Sequence, residues 1–220
     1  MQNHTGALIF DFDGLILDTE SPEVQVWDRL FTEAGGTFDH QAYLDTIGSW
    51  DNSSYEPGVF LARLMDHGAT AQQLHERVRL EAAQMIAREA PLPGVESLIT
   101  RAHAAGLRLA VGSSSPAAWV RGHLRRLGLI DYFATIVTFD DVSQSKPSPQ
   151  IFLTVLARLG IEAKQALVLE DSHNGLLAAH RAGIRAVIVP NAVTAGQDFS
   201  LAAEVLDSLD ALALERYFPL

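Results

Sequence analysis

Hydrophobic positions along this chain follow two rhythms. Short apolar runs of strand length recur at Ala7–Phe10, Leu107–Val111, Ala134–Val137, Ala166–Leu169 and Arg185–Val189. Between the later four lie stretches with helical spacing, at Ala117–Leu127, Pro149–Leu159 and Gly175–Ala182. Unbroken apolar strands alternating with helices predict a parallel sheet buried on both faces. The punctuation agrees. Ser115-Pro116 and Ser148-Pro149 read as N-cap and first-turn pairs. Gly106, Gly128, Gly160 and Gly183 each follow a helical pattern, where a helix commonly ends in the left-handed region. The expected fold class is α/β, a Rossmann-like doubly wound parallel sheet.

The stretch from Ser21 to Glu89 has no buried-strand pattern. Helical spacing fits Glu23–Glu33, Gln41–Thr46, Val59–His67 and Gln72–Arg88, and Ala90-Pro91-Leu92-Pro93-Gly94 then breaks the chain. An all-helical cap is thus inserted after the first strand, over the edge where α/β sheets bind ligands. The expected division is an α/β core at 1–17 and 91–220 with a helical cap at 18–90. In the tail, Ala203–Leu206 reads as a short edge strand and Asp210–Tyr217 as a closing helix.

Composition narrows the partners. The chain has 220 residues, 48% of them hydrophobic, which is enough to bury a core. Its 27 acids against 16 bases leave a formal charge of −11, unsuited to non-specific binding of nucleic acid or anionic membrane. Lysine is rare, with Lys146 and Lys164 the two in the sequence. Cysteine is absent, which removes disulfides, thiolate metal sites and thiol nucleophiles and suits a reducing cytoplasm. The first apolar run stops at Asp11, too short for a signal core or a membrane span.

Four stretches carry candidate chemistry. Asp11 and Asp13, at i and i+2 on the end of the first strand, point the same way, and Gly14 permits a tight turn behind them. Paired carboxylates persist in solvent or beside a cation. Gly112-Ser113-Ser114-Ser115-Pro116 joins a strand to a helix and offers hydroxyls and backbone N–H groups to an anion; simple N-capping would account for one of the three serines. Lys146, ahead of a helix start, is a compact charge suited to phosphate. Glu170 and Asp171 again follow a strand directly and complement the first pair around Mg²⁺. All four lie at the C-terminal ends of predicted parallel strands, where together they would make a Mg²⁺-dependent phosphoryl-transfer site.

In order and spacing, Asp11-Phe12-Asp13-Gly14 with Asp18-Thr19-Glu20, then Ser113, Lys146-Pro147, and Glu170-Asp171-Ser172 with Gly175, resemble the motifs of the haloacid dehalogenase superfamily. The helical insertion resembles the small cap of its beta-phosphoglucomutase and phosphoglycolate phosphatase branch. The resemblance implies that Asp11 is the nucleophile, forming an aspartyl-phosphate, and that Asp13 is the general acid and then the base. It implies that Asp11, Asp171 and the Asp13 carbonyl hold Mg²⁺ and that Glu170 orients a metal-bound water. Ser113, Ser114 and Lys146 would neutralise the phosphoryl oxygens, and Gly14 would lie against the substrate.

The sequence favours one activity within that family. Two acidic pairs suit phosphoryl transfer rather than dehalogenation, and a cap without lysine excludes a Schiff base. Glu23 stands where the mutase branch has histidine, and Ser49–Ser54 carries no arginine for a second phosphate. The expected activity is therefore a phosphatase acting on a small sugar or organic-acid phosphate, with a phosphomutase as the alternative. A non-catalytic phospholigand-binding protein would have lost one of these carboxylates. Glu20, Glu23, Trp27, Trp50 and Asn52 are placed to meet a leaving group when the cap closes, although Trp27 at helical spacing equally suits the cap core. Arg77 and Arg79 read as a solvated helix face, His67 and His75 as too isolated to be ligands, and His173, which follows Ser172 and begins a helix, as a surface residue or one set behind the site. The expected partner is a small phosphorylated metabolite and the expected state a monomer.

Overall fold

The computed structural model describes residues 6–44, 46–47, 55–66 and 68–219. Trp50, Asn52 and His67 lie outside the described residues. The strands β1 (Ala7–Phe10), β2 (Arg108–Gly112), β3 (Phe133–Val137), β4 (Ala166–Glu170), β5 (Arg185–Ile188) and β6 (Glu204–Val205) form one parallel sheet. Their order is β3-β2-β1-β4-β5-β6. The chain winds outward from β1 in one direction, then returns to β4 and winds in the other, so the switch point lies between β1 and β4.

Period-two alternation within each strand supplies both faces of the sheet. Leu8, Phe10, Leu109, Val111, Leu167 and Leu169 pack with α5 (Val95–Ala104) and α6 (Ala117–Arg126). Ile9, Ala110, Val168, Ala186 and Ile188 face the other way, against α7 (Gln150–Leu159) and α8 (His173–Arg181). Every residue of β1 is fully buried. The register sets Phe10 level with both Val111 and Leu169, so the residues that leave these strands emerge side by side.

Among the described residues between β1 and α5 lie four helices, α1 (Glu20–Glu33), α2 (His40–Leu44), α3 (Pro57–Leu64) and α4 (Ala71–Ile86). They have an apolar centre of their own, including Val26, Trp27, Phe31, Phe38, Leu61 and Leu74. The Trp27 ring stacks on Phe38 at 6.3 Å, so its role is core. Thr70 and Gln73 form a reciprocal capping box at the start of α4, and its last turn, through Ala82 and Ile86, joins the core of the sheet. The cap meets the sheet's C-terminal edge through Asn174 Nδ2 to the Ile47 carbonyl (2.7 Å) and Gln197 Nε2 to the Leu44 carbonyl (2.9 Å). No helix among the described residues is long and apolar enough to cross a membrane.

Three local expectations are corrected. The closing helix at Asp210–Tyr217 is two 3-10 turns, Leu209–Ala211 and Leu214–Arg216, because Leu212 and Ala213 are extended (ψ 115° and 102°). That break lets Leu209, Leu212, Leu214 and Phe218 all reach the core. Pro116 and Pro149 are N-caps rather than first-turn residues. The Ser115 hydroxyl does not cap its helix; Asp140 accepts from the Ala117 N–H at 2.6 Å in its place. By contrast, Gly106, Gly128, Gly160 and Gly183 all have positive φ, as expected.

Candidate active site

The site begins where β1 leaves the sheet. The Asp11 N–H donates to the Leu169 carbonyl at 2.9 Å, extending the ladder by one residue, and its side chain is almost wholly buried. The chain then turns back on itself, with the Gly14 N–H on the Leu17 carbonyl at 2.8 Å. Gly14 has φ +74°, and a Cβ there would lie 2.4 Å from Asp171 Oδ2. Glycine is therefore required twice over, by backbone conformation and by close approach.

From the loop ahead of α7, Lys146 reaches under this turn. It is 1% exposed, and its Nζ donates to Asp11 Oδ1 and, at 2.6 Å, to Glu170 Oε1. The stem packs with Nζ 5.1 Å from the Phe152 ring centroid. The other oxygen of Glu170 accepts from the N–H groups of Asp171 (3.1 Å) and Ser172 (3.2 Å) and from Ser172 Oγ (3.0 Å). Gly175 makes room for this carboxylate, since a Cβ there would lie 1.9 Å from Glu170 Oε1.

Asp171 Oδ2 accepts from Asn191 Nδ2 at 2.8 Å. The same amide nitrogen lies 2.9 Å from Glu20 Oε2 and 3.2 Å from the Gly14 carbonyl. Asn191 thereby joins the first helix of the cap to the core, a role the sequence reading missed. Its position just past a predicted strand, on the ligand edge of the sheet, was the available signal. Ser113 is fully buried and Ser114 nearly so, as the backbone passes from β2 toward α6. Asp13 turns to this loop: it accepts from Ser113 Oγ (3.2 Å), Ser115 Oγ (2.7 Å) and Trp119 Nε1 (2.9 Å). The carboxylates of Asp11 and Asp13 thus serve different neighbours.

The electrostatics follow from crowding. Burial, then the Glu170 charge, pushes the Asp11 carboxyl up to about 8 despite Lys146. Burial and then Glu20 push Asp171 well above the carboxylate range; burial does the same to Glu20, against the pull of Asn191. Burial draws Lys146 down, but Asp11 and Glu170 outweigh it and keep the ammonium charged. Asp11, Glu170 and Asp171 present oxygens within 4.8 Å of one another. Clustered hard oxygens with a single ammonium among them fit a divalent cation such as Mg²⁺.

The cap contributes further polar groups. Tyr43 Oη donates to Glu23 Oε2 at 3.0 Å, and burial raises both groups above their usual range. Arg29, Arg77 and Arg79 are engaged in exposed ion pairs with Glu33, Glu81 and Glu76. His173 contacts the Asp198 carbonyl and takes no part in the cluster.

Comparison with known proteins gives a consistent picture. A family model described as haloacid dehalogenase-like hydrolase matches residues 8–189. The chain is 40% identical over 188 residues to the protein YhcW of Bacillus subtilis, covering 86% of this chain and 84% of that one. It is 32% identical over 214 residues to hexitol phosphatase B of Escherichia coli, covering 94% and 93%. A crystal structure of mutant CbbY from Rhodobacter sphaeroides in complex with xylulose-1,5-bisphosphate superposes with a TM-score of 0.73 at 28% identity, covering 94% and 96%.

Proposed function

The chain belongs to the haloacid dehalogenase-like hydrolases, and on that premise we propose that it hydrolyses a small sugar phosphate with Mg²⁺ through an aspartyl-phosphate on Asp11. The observation that carries this reading is the clustering of Asp11, Glu170 and Asp171 at the switch point of the sheet, with buried Lys146 bridging Asp11 and Glu170. Asp11, Asp171 and the Asp13 carbonyl would hold the ion, with Glu170 behind them. When bound, Mg²⁺ supplies positive charge that offsets the repulsion between a carboxylate nucleophile and a phosphate.

The chain's own groups do the rest. Lys146 shares its ammonium between Asp11 and Glu170, so it orients the nucleophile and offers charge to a phosphoryl oxygen. The Ser113 hydroxyl and the backbone at Ser114 face the same group from β2. Gly14, whose turn abuts Asp171, keeps the approach clear of side-chain atoms. Asp11 attacks phosphorus, Asp13 gives a proton to the departing alcohol, and Asp13 then takes one from the water that releases phosphate. Cap closure excludes bulk water during the first step.

The cap side supports a polyhydroxy leaving group. Glu20, Glu23 and Tyr43 offer carboxylate and phenol oxygens to hydroxyls, while the cap arginines named above are engaged elsewhere. That inventory favours a sugar over an organic acid, and with these arginines paired it favours water over a hydroxyl of a sugar phosphate gripped by its own phosphate as the acceptor, which supports the phosphatase reading over the mutase. Trp50 and Asn52 remain candidates for the same contact. The reading takes the chain as a cytoplasmic monomer. A screen of phosphorylated metabolites with Mg²⁺, reading released phosphate, identifies the substrate. Asp11→Asn should abolish turnover and leave the fold intact; Mg²⁺-dependent activity in that variant would remove Asp11 as the nucleophile.

A further inference from the structure

Asp13 is held by donors of two kinds, sorted between its oxygens. Oδ1 accepts from the Trp119 indole at 2.9 Å. Oδ2 accepts from the Ser115 hydroxyl at 2.7 Å and the Ser113 hydroxyl at 3.2 Å. A hydroxyl can turn from donor to acceptor, whereas an indole N–H only donates. Oδ1 therefore has a partner that can only donate to it, and Oδ2 faces hydroxyls that can reverse their role.

The indole is itself fixed. Trp119, in the first turn of α6, packs against the apolar core. Its ring meets His123 edge-on at 4.3 Å, and His123 in turn lies 6.2 Å from the Phe12 ring, next to Asp13 in the chain. Ser113, by contrast, has a second claim on its hydroxyl. It lies in the loop read above as the phosphate cradle, and one hydroxyl proton cannot serve both a phosphate oxygen and Asp13.

We propose that Trp119 is a positioning residue for the phosphoryl-transfer reaction, its indole N–H anchoring Asp13 Oδ1 so that Oδ2 serves the leaving group once arriving phosphate draws the Ser113 hydroxyl away. This rests on the reading of Asp13 as the general acid. In the step itself a bond forms between an Asp11 oxygen and phosphorus as the bond from phosphorus to the alcohol oxygen breaks. The electron pair departs on that oxygen, which takes the proton from Asp13 Oδ2. Asp13 is left as a carboxylate, still held at Oδ1, with Oδ2 ready to accept a proton from water.

The test compares kcat/KM for an alkyl phosphate, such as a hexitol phosphate, with that for p-nitrophenyl phosphate. This ratio reports steps up to loss of the alcohol, and p-nitrophenolate leaves without a proton. Trp119→Phe should lower the alkyl value by about tenfold or more, in keeping with the cost of misplacing a reacting group, and the aryl value by no more than about threefold. In an Asp13→Asn background, where the acid is already gone, Trp119→Phe should not change the alkyl-to-aryl ratio further. Equal losses on both substrates, or the same ratio change in the Asp13→Asn background, would overturn the assignment. If Asp13→Asn alone leaves the ratio unchanged, the acid role of Asp13 fails instead. A second measurement avoids altering Trp119: its indole ¹H–¹⁵N resonance should sit downfield in the unaltered protein and move upfield in Asp13→Ala, and an unmoved resonance refutes the anchor.

Discussion

Replacing Lys146 by methionine keeps most of the side-chain volume and removes the ammonium that lies between Asp11 and Glu170. All three side chains are at least nine-tenths buried. Removing one partner of a buried ion pair costs about 3–5 kcal/mol, because the charge left behind is unpaired. For a chain of this size, each kcal/mol is about 2–4 °C in Tm, so without metal Lys146→Met should melt about 6–20 °C below the parent at pH 9. The sign with pH follows from Asp11. Its folded pKa is raised from 3.8 to about 8, so its burial as an anion costs progressively more as pH rises through that window. Without Lys146 that pKa rises further. At pH 5.5 Asp11 is protonated in the folded state of both proteins, and the penalty should shrink to about half. Lys146 itself is raised above its usual value, so its own contribution is complete below that value and persists at pH 9. Urea unfolding in chelator at the two pH values, followed by far-UV circular dichroism, measures the difference. A penalty under about 1 kcal/mol at pH 9, or one as large at pH 5.5 as at pH 9, would refute the reasoning.

Other substitutions probe the same cluster from different sides. Gly175→Ala places a methyl group in the space of the Glu170 carboxylate and should lower Mg²⁺ affinity about 10–100-fold, read by calorimetric titration; unchanged affinity would mean that Glu170 does not act on the ion. Asn191→Ala leaves Asp171 and Glu20 facing each other without the shared amide and should cost about 1–3 kcal/mol in urea unfolding. Because Mg²⁺ and a proton compete for Asp11, the rise in Tm on adding Mg²⁺ should grow between pH 5 and pH 9. A Tm increment flat across that range contradicts the assignment of Asp11 as a ligand.

The core of this site is legible in the sequence because its residues follow strands that are themselves conspicuous. Ala7–Phe10 and Ala166–Leu169 are apolar without interruption, and the carboxylates after them mark where burial meets the ligand edge. Lys146 stands out because the chain uses arginine almost everywhere else, Lys164 being its one other lysine. What stays hidden depends on approach in space. Asn191 and Gly14 are 177 positions apart, and Trp119 and Asp13 are 106 apart, and no periodicity links them. Ser115 is misread for a different reason: serine before proline is also a local capping signal, and here the hydroxyl serves a distant carboxylate instead. In the tail, the spacing of Leu209, Leu212, Leu214 and Phe218 imitates a helix, while two extended residues divide it.

The central place of β1 also imposes an order on biosynthesis. Of the strands of this sheet β1 is made first, yet both its hydrogen-bonding neighbours come much later, β2 beginning 98 residues after β1 ends and β4 later still. At about 5–20 residues per second, the nascent chain carries an unpaired apolar strand for roughly 5–20 seconds before its first partner appears. During that interval the segments being made are the cap, whose helices have an apolar centre of their own, and then α5, which has no strand but β1 to pack on. Ala7–Phe10 is thus exposed to chaperones and to aggregation during that interval, and Asp11, which follows it, gains its surroundings only when most of the chain has been made.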